Sequence, residues 1–221
     1  YKRDILGLRI AAVGIIFRYF ANNRKPYVMR QADLFNERGG LKFRFTMITI
    51  GIDFGGNKSR TTYYATGFLN GFKKMIVLDE EKLPITEEVD TEQIQKRFVE
   101  FFRRVESRYG YIQECFGDNA ATTLVNSLKK TVLTERLNTR MNGCDKETIL
   151  ERVRLVDNLL RAGRLIIVED TCHGLIKALS ELKWDDEKED EVEDLNIGSI
   201  NDYWDGFNYT FTHYMKKLTM W

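Results

Sequence analysis

Four aspartates follow or adjoin apolar segments of this chain, where their carboxylates could bind a divalent cation. Residues 48–55 form an alternating apolar run that carries one charge, Asp53, near its end. Such a run predicts a strand in a sheet core, and a charge there is costly unless a partner such as a cation neutralises it. Asp118 follows a second short apolar run, and Asp202 and Asp205 begin an aromatic C-terminal segment. Carboxylates that converge from different elements can hold two Mg²⁺ or Mn²⁺ ions, the arrangement that hydrolyses phosphodiesters.

Each of these aspartates also has a purely structural interpretation. Taken alone, Asp53 could form a turn at a strand end, because aspartate accepts local backbone hydrogen bonds. Asp118 could cap the next helix, a contribution of about 1 kcal/mol. Asp202 and Asp205 lie three residues apart on one helix face, where acids in a first turn favour the helix dipole. That face adjoins an aromatic stripe expected to point towards the sheet, and this position favours a ligand role.

The composition indicates a globular domain. The chain has 221 residues, of which 43% are hydrophobic and 30% charged, enough for one domain with a substantial core. No apolar run approaches the roughly 18 residues of a membrane span. The N-terminus has neither an initiator Met nor a signal-peptide pattern, which predicts an excised fragment. Three cysteines without a CxxC pattern fit a reducing cytosol rather than a disulfide framework or a zinc cluster.

The charge is distributed unevenly along the chain. The net charge is +1, but residues 1–45 hold ten Lys/Arg against three Asp/Glu, and residues 181–194 hold nine acids against two lysines. A near-neutral total therefore does not exclude a polyanionic partner, because local patches decide the field. The same two blocks can also be read as ordinary solvated surface.

Periodicity predicts the elements that must position the aspartates. Strands are expected at about 42–54, 60–69 and 72–83, and Asn70-Gly71 is a strong signal for a tight hairpin between the last two. These three strands form an antiparallel meander. Further expected elements are helices over 1–20, 91–108, 119–130, 146–161, 171–181 and 199–218, strands over 111–117 and 164–168, and an acidic excursion over 183–198.

This order predicts an α/β fold in which a mixed sheet, three antiparallel strands and then parallel strands, is flanked by helices. It matches the ribonuclease-H-like fold. We predict residues 1–40 to be a junction helix with a basic segment. Residues 41–221 would then form the ribonuclease-H-like domain, with an acidic insertion at about 183–198.

Short motifs lie along nearly the whole chain, at residues 11–17, 20–23, 50–59, 117–120, 124–128, 161–167, 172–185 and 201–209. Together they resemble the C-terminal nuclease domain of a tailed-bacteriophage large terminase subunit, the DNA-packaging motor. Each motif is weak alone, and their order and spacing carry the resemblance. Tyr203, Gly206 and Asn208 depart from the family's last motif, so Asp205 is a safer ligand than Asp202.

The resemblance implies a metal-dependent endonuclease that cuts double-stranded viral DNA during genome packaging. Asp53, Asp118 and Asp205 would be catalytic, and these three with Asp202 would bind two Mg²⁺ or Mn²⁺ ions. Implied partners are double-stranded DNA, the N-terminal ATPase domain of the same full-length protein, the portal protein and the small terminase subunit. The implied location is the host cytoplasm, transiently at the procapsid portal and not in a membrane.

Basic side chains on either side of the acidic positions are candidates for contacts to DNA phosphates. The candidate phosphate contacts are Lys58, Arg60, Lys129, Lys130, Arg136 and Arg140.

Two functions from other classes stay open. One is a fragment of an actin- or hexokinase-like ATPase, which shares the ribonuclease-H core but needs two such subdomains, and the other is a non-catalytic docking domain for DNA or portal protein. Metal-dependent cleavage of plasmid DNA separates the nuclease from both.

Overall fold

The computed structural model of the chain describes residues 15–55, 60–83, 90–145, 147–184, 192–193 and 200–221. Its strands are β1 Val28–Met29, β2 Phe45–Asp53, β3 Thr62–Leu69, β4 Lys74–Lys82, β5 Glu114–Gly117, β6 Arg140–Gly143, β7 Leu165–Val168, β8 Lys183–Trp184 and β9 Val192–Glu193. Its α-helices are α1 Arg18–Asn22, α2 Thr91–Tyr109, α3 Thr122–Thr134, α4 Ile149–Arg161, α5 His173–Glu181, α6 Ile200–Tyr209 and α7 Met215–Thr219.

Seven of these strands form one mixed sheet in the order β1-β7-β4-β3-β2-β5-β6. Strands β2, β3 and β4 are antiparallel to their neighbours in the meander. Strand β5 pairs with β2 in parallel, β6 with β5, and β7 with β4 and β1. The predicted fold class, an antiparallel meander followed by parallel strands, is confirmed.

Helices cover both faces of the sheet, because successive residues of a strand point to opposite sides. On β3, Tyr63 and Ala65 belong to a core beneath α2 and α3, whereas Tyr64 and Phe68 belong to a core beneath α4, α5 and α6. The buried residues of α2 include the predicted stripe of Ile94, Phe98, Phe101, Phe102 and Val105. The α6 core is mainly aromatic and includes Trp204, Phe207 and Phe211.

The hairpin between β3 and β4 is longer than predicted. Residues 70–73 form the loop, since Leu69 pairs with Lys74, and Asn70, Gly71 and Phe72 all have positive φ angles. A bulky residue in that conformation is unusual. Phe72 is held there by its aromatic neighbours, with ring centroids 4.8 Å from Phe68 and 5.1 Å from Tyr214.

The predicted helix over 1–20 is wrong at residues 15–17, and residues 1–14 lie outside the described part of the chain. Ile15 forms an antiparallel bridge with Lys183, and the Ile16 N–H donates to the Leu182 carbonyl at 2.8 Å. The helix α1 begins only at Arg18. Apolar spacing alone could not distinguish a helix from this extended entry, because β-branched residues favour strands as well.

Two short strands were not predicted. Strand β6 contains one buried residue, Met141, among Arg140, Asn142 and Gly143, so it carries no alternation to recognise. Strand β1 is two residues long and extends the sheet beyond β7. Phe17, Phe20 and Leu34 pack in the two cores, so the described part of residues 1–40 packs with the rest. The boundary near residue 40 stays a proposal.

The predicted C-terminal helix over 199–218 is interrupted. Helix α6 ends at Tyr209, a 3₁₀ turn follows at Thr212–Tyr214, and α7 begins directly after it at Met215. The break is anchored to the sheet, because the Thr49 hydroxyl donates to the Thr210 carbonyl at 2.7 Å.

Within the acidic excursion, β8 and β9 pair antiparallel as a hairpin, and residues 185–191 and 194–199 lie outside the described part. No helix in the described ranges combines the length and apolar character needed to cross a membrane.

Candidate metal centre

The parallel pairing of β2 and β5 places Asp53 and Asp118 at the same end of the sheet. Ile52 pairs with Gly117 in this register, so each aspartate is the next residue along its strand. Because parallel strands end at one edge, the two side chains project from neighbouring positions. Asp118 caps the 3₁₀ turn Asn119–Ala121, where its Oδ1 accepts the Ala120 N–H at 2.9 Å. The predicted cap therefore lies on this turn, and α3 begins one turn later with Ala121 at its N-cap.

Helix α6 brings the other two aspartates over this edge by unusually close packing on the sheet. A Cβ on Gly51 of β2 would lie 2.4 Å from the Gly206 carbonyl oxygen and 2.6 Å from the Thr210 nitrogen. The Thr62 hydroxyl also donates to the Asp202 carbonyl at 2.9 Å. The absence of a side chain at Gly51 therefore lets the last turn of α6 lie against the strand that carries Asp53.

The other three carboxylates lie within electrostatic range of Asp53. Burial raises the pKa of Asp53 well above its usual range, and the charges of Asp205, Asp202 and Asp118 raise it further. Burial also raises the pKa of Asp205, opposed by the guanidinium of Arg152. Mutual repulsion of this kind is expected where several carboxylates share a site.

Two of the four carboxylates have one oxygen held by an unforeseen partner. Asp202, which is 5% exposed, accepts the Arg60 backbone N–H on Oδ2 at 2.7 Å. Asp205 accepts the Arg152 Nη1 on Oδ1 at 2.7 Å, and about a third of its side chain is exposed. Each bond occupies one oxygen of its carboxylate in this side-chain arrangement.

The donor chemistry fits a hard divalent cation. All four candidate ligands are carboxylates, the oxygen donors that Mg²⁺ and Mn²⁺ prefer. Burial and the neighbouring carboxylates disfavour the charged form of Asp53 and raise its pKa, and a cation would favour that charged form. As the side chains stand, no group of three or more His, Cys, Asp or Glu residues in the described ranges is arranged to hold a metal ion. Binding would therefore require the carboxylates to reorient.

Sequence inspection missed two residues of this site. Arg152 and Tyr209 line a cavity of about 200 Å³ together with Asp118. Burial raises the pKa of Tyr209, with further contributions from Asp205, Asp53 and Asp118. Arg152 could have been noticed, because it lies next to Val153 and one turn before Val156 on the buried face of α4, where an arginine needs a partner.

The candidate DNA contacts divide between the two ends of the sheet. Arg60 is half-buried at the carboxylate end, just before β3. Arg140 begins β6 opposite Glu114, at the other end of β5 from Asp118. Lys129, Lys130 and Arg136 are exposed on the later turns of α3 and just beyond it, where the chain returns to that far end. Lys58 lies outside the described residues.

The strand order and helical layers define a ribonuclease-H-like domain. No protein-family model matches the sequence, and no curated protein matches it. Solved structures match over most of the chain, among them large terminases of bacteriophages and their nuclease domains. At 10–16% identity the similarity is one of fold.

Three structures illustrate the match. The large terminase of a thermophilic bacteriophage, in complex with ADP, has a TM-score of 0.68 at 16% identity, covering 95% of this chain and 46% of that one. The nuclease domain of the bacteriophage P22 large terminase gives 0.61 at 10% identity, covering 89% and 91%. The nuclease domain of the bacteriophage SPP1 large terminase, with bound Mn, gives 0.58 at 16% identity, covering 84% and 94%.

This chain therefore has the fold of a phage large terminase nuclease domain. It spans a little under half of the thermophilic phage's large terminase.

Proposed function

We propose that this domain is a metal-dependent endonuclease that cuts double-stranded DNA with two bound Mg²⁺ or Mn²⁺ ions. The observation that carries the proposal is the convergence of four aspartates at one sheet edge, where burial and the three neighbouring carboxylates raise the pKa of Asp53. A structural role explains the cap made by Asp118, but it does not explain why three further acids gather beside it. The SPP1 nuclease domain of the same fold was solved with bound Mn, which supports the choice of metal.

In this proposal Asp53 has the central role, because the other three carboxylates all act on it. Asp53 is held at the end of a middle strand of the sheet, and it would hold the ions together with Asp118 and Asp205. The two ions would supply an activated water and stabilise the leaving oxygen of the phosphodiester. Asp202 is buried and bonded to the Arg60 backbone, so its carboxylate would serve as a ligand or hold the loop before β3.

The biological setting is part of the same proposal. The domain would act on viral DNA during genome packaging, joined to an N-terminal ATPase domain, as its share of the thermophilic phage protein's length suggests. Portal protein and small terminase subunit would be its partners, in the host cytoplasm and transiently at the procapsid portal.

We expect the folded protein to nick and cut plasmid DNA in Mn²⁺ or Mg²⁺ and to lose this activity in EDTA, because carboxylates without a cation cannot neutralise the attacked phosphate. The measurement is the conversion of supercoiled plasmid to nicked and linear forms across a metal and pH series. Asp79→Asn protein is the matched control, because Asp79 is a buried acid outside the cluster. No cleavage by folded protein under any of these conditions would refute the proposal. ATP binding by the same sample would instead favour the ATPase alternative.

The division of basic residues between the sheet ends predicts which of them contact DNA near the cleaved bond. Arg60→Gln should flatten the slope of log affinity against log salt concentration by about one, as expected for a single phosphate contact on duplex DNA. Arg140→Gln should leave the slope unchanged for a short duplex bound across the carboxylate end. Fluorescence anisotropy with a catalytically inactive protein measures both. A larger effect of Arg140→Gln would place the duplex across the far end of the sheet, where Lys129, Lys130 and Arg136 also lie.

A further inference from the structure

Arg152 lies where a buried arginine is least expected, on the inward face of α4. The helix begins with a capping box between Thr148 and Glu151, which sets its first turn beside the carboxylate cluster. Arg152 is 9% exposed and belongs to the same buried face as Val153 and Val156. Its guanidinium therefore enters the metal centre from the helix layer, not from solvent.

The guanidinium is incompletely satisfied in this position. Nη1 donates to Asp205 Oδ1 at 2.7 Å, but the buried Nε has no hydrogen-bond partner among the described residues. A buried donor without a partner costs free energy, so this pose is not the best that the side chain could achieve. The cavity shared with Asp118 and Tyr209 lies beside it and offers space for another pose.

An arginine with a structural role elsewhere in the molecule differs in this respect. Arg104 donates from Nε to Asp79 at 3.1 Å, from Nη1 to Glu81 at 2.7 Å and from Nη2 to Asp79 at 3.4 Å. All three of its guanidinium nitrogens donate hydrogen bonds, as expected of an ion pair that fixes a helix on a sheet. Arg152 resembles instead a positive charge that occupies a carboxylate cluster.

We propose that Arg152 competes with the divalent cation for the Asp205 carboxylate, and so lowers the affinity of the site for metal. This inference rests on the proposed function, because it concerns the same site. Without metal, the guanidinium partly offsets the repulsion that Asp53 and Asp205 experience. Asp205 would have to release Arg152 from Oδ1 before both of its oxygens could hold a cation. The released guanidinium would then be available to a phosphate oxygen in the adjoining cavity.

The competition makes a prediction opposite to that of a structural ion pair. Removing a neighbouring positive charge strengthens cation binding, so Arg152→Gln should lower the Mn²⁺ dissociation constant by about fivefold or more in calorimetric titrations. Arg152→Met, of similar length and suited to the apolar face, should do the same. Arg152→Lys keeps the charge and should bind Mn²⁺ as the wild type does. Arg104→Gln is the matched control, with unchanged Mn²⁺ affinity.

The outcomes separate this inference from the proposed function. If the wild type binds no Mn²⁺, the metal centre itself is wrong. If the wild type binds Mn²⁺ and both neutral variants bind it equally or more weakly, Arg152 holds Asp205 in place for the metal, and the competition is refuted. Arginine side-chain NMR of wild-type protein tests the same point if the variants do not fold. Mg²⁺ should release the restricted rotation of one buried guanidinium, and no change in any arginine signal would overturn the proposal.

Discussion

Asp53→Asn should abolish metal-dependent DNA cleavage and raise the melting temperature of the metal-free protein at neutral pH. Asp53 is the carboxylate on which the other three act, so its substitution removes the central ligand of the proposed metal centre. Removing one oxyanion-hole donor from an enzyme commonly costs about 10²–10³ in rate, and the loss of this proposed ligand should cost at least as much. Plasmid nicking rates in Mn²⁺ measure this loss of activity.

The stability effect follows from the direction of the pKa shift. The pKa of Asp53 is raised in the folded state by burial and by its acidic neighbours. Between the unfolded and folded pKa values the native protein keeps a proton that the unfolded chain has lost, so its stability falls as pH rises through that window. Above this pH window the full loss of stability caused by ionised Asp53 is present. Asp53→Asn removes that cost, so the gain in melting temperature should be large at pH 7 and vanish in acid, below the unfolded pKa.

A buried acid outside the cluster provides the control. Asp79 is 3% exposed and pairs with Arg104, so Asp79→Asn should lower the melting temperature at pH 7 and leave cleavage near the wild-type rate. If Asp53→Asn cut DNA as fast as the wild type, Asp53 would not be a metal ligand. If it destabilised the protein at pH 7 as Asp79→Asn should, Asp53 would be a structural carboxylate and the electrostatic picture of the site would be wrong.

The sequence was informative where a local pattern and the final packing agree. The α2 stripe repeats at helical spacing over nineteen residues, and its buried side chains are those the spacing predicts. Ile48, Ile50 and Ile52 alternate into one core before Asp53, so a strand ending in a charge could be recognised. The order of such segments was then sufficient to predict strands β2, β3, β4, β5 and β7 of the sheet and the meeting of Asp53 with Asp118.

Other features depend on contacts between distant residues, which no local pattern contains. Phe72 adopts a left-handed conformation because Phe68 and Tyr214 hold its ring, so the hairpin signal of Asn70-Gly71 gave the right connection with the wrong loop length. Strand β6 is defined by its pairing with β5, since its own residues are mostly polar. The position of Arg152 beside Asp205 arises only when α4 and α6 pack on the same face.

The close packing of α6 on β2 leads to the prediction with the largest effect on stability. Gly51→Ala should destabilise the fold by about 1–3 kcal/mol, the usual cost of overpacking a core, with the higher value expected here. The added methyl would meet the Gly206 carbonyl oxygen at 2.4 Å and the Thr210 nitrogen at 2.6 Å. Both are backbone atoms, so no side-chain rotation can relieve the contact. Chemical denaturation of the metal-free protein measures the loss.

The same substitution should weaken metal binding by more than its effect on stability explains. Gly51 lies two residues before Asp53, and the backbone it contacts belongs to the helix that carries Asp205, so relief of the clash must move these two carboxylates apart. Mn²⁺ titrations on protein that is still folded should therefore show a raised dissociation constant. Gly40→Ala is a suitable control, because its new methyl would approach only the Asn36 side chain, at 3.2 Å. It should leave both stability and Mn²⁺ affinity close to wild type. If Gly51→Ala destabilised the fold but bound Mn²⁺ with unchanged affinity, the spacing between β2 and α6 would not set the geometry of the metal centre.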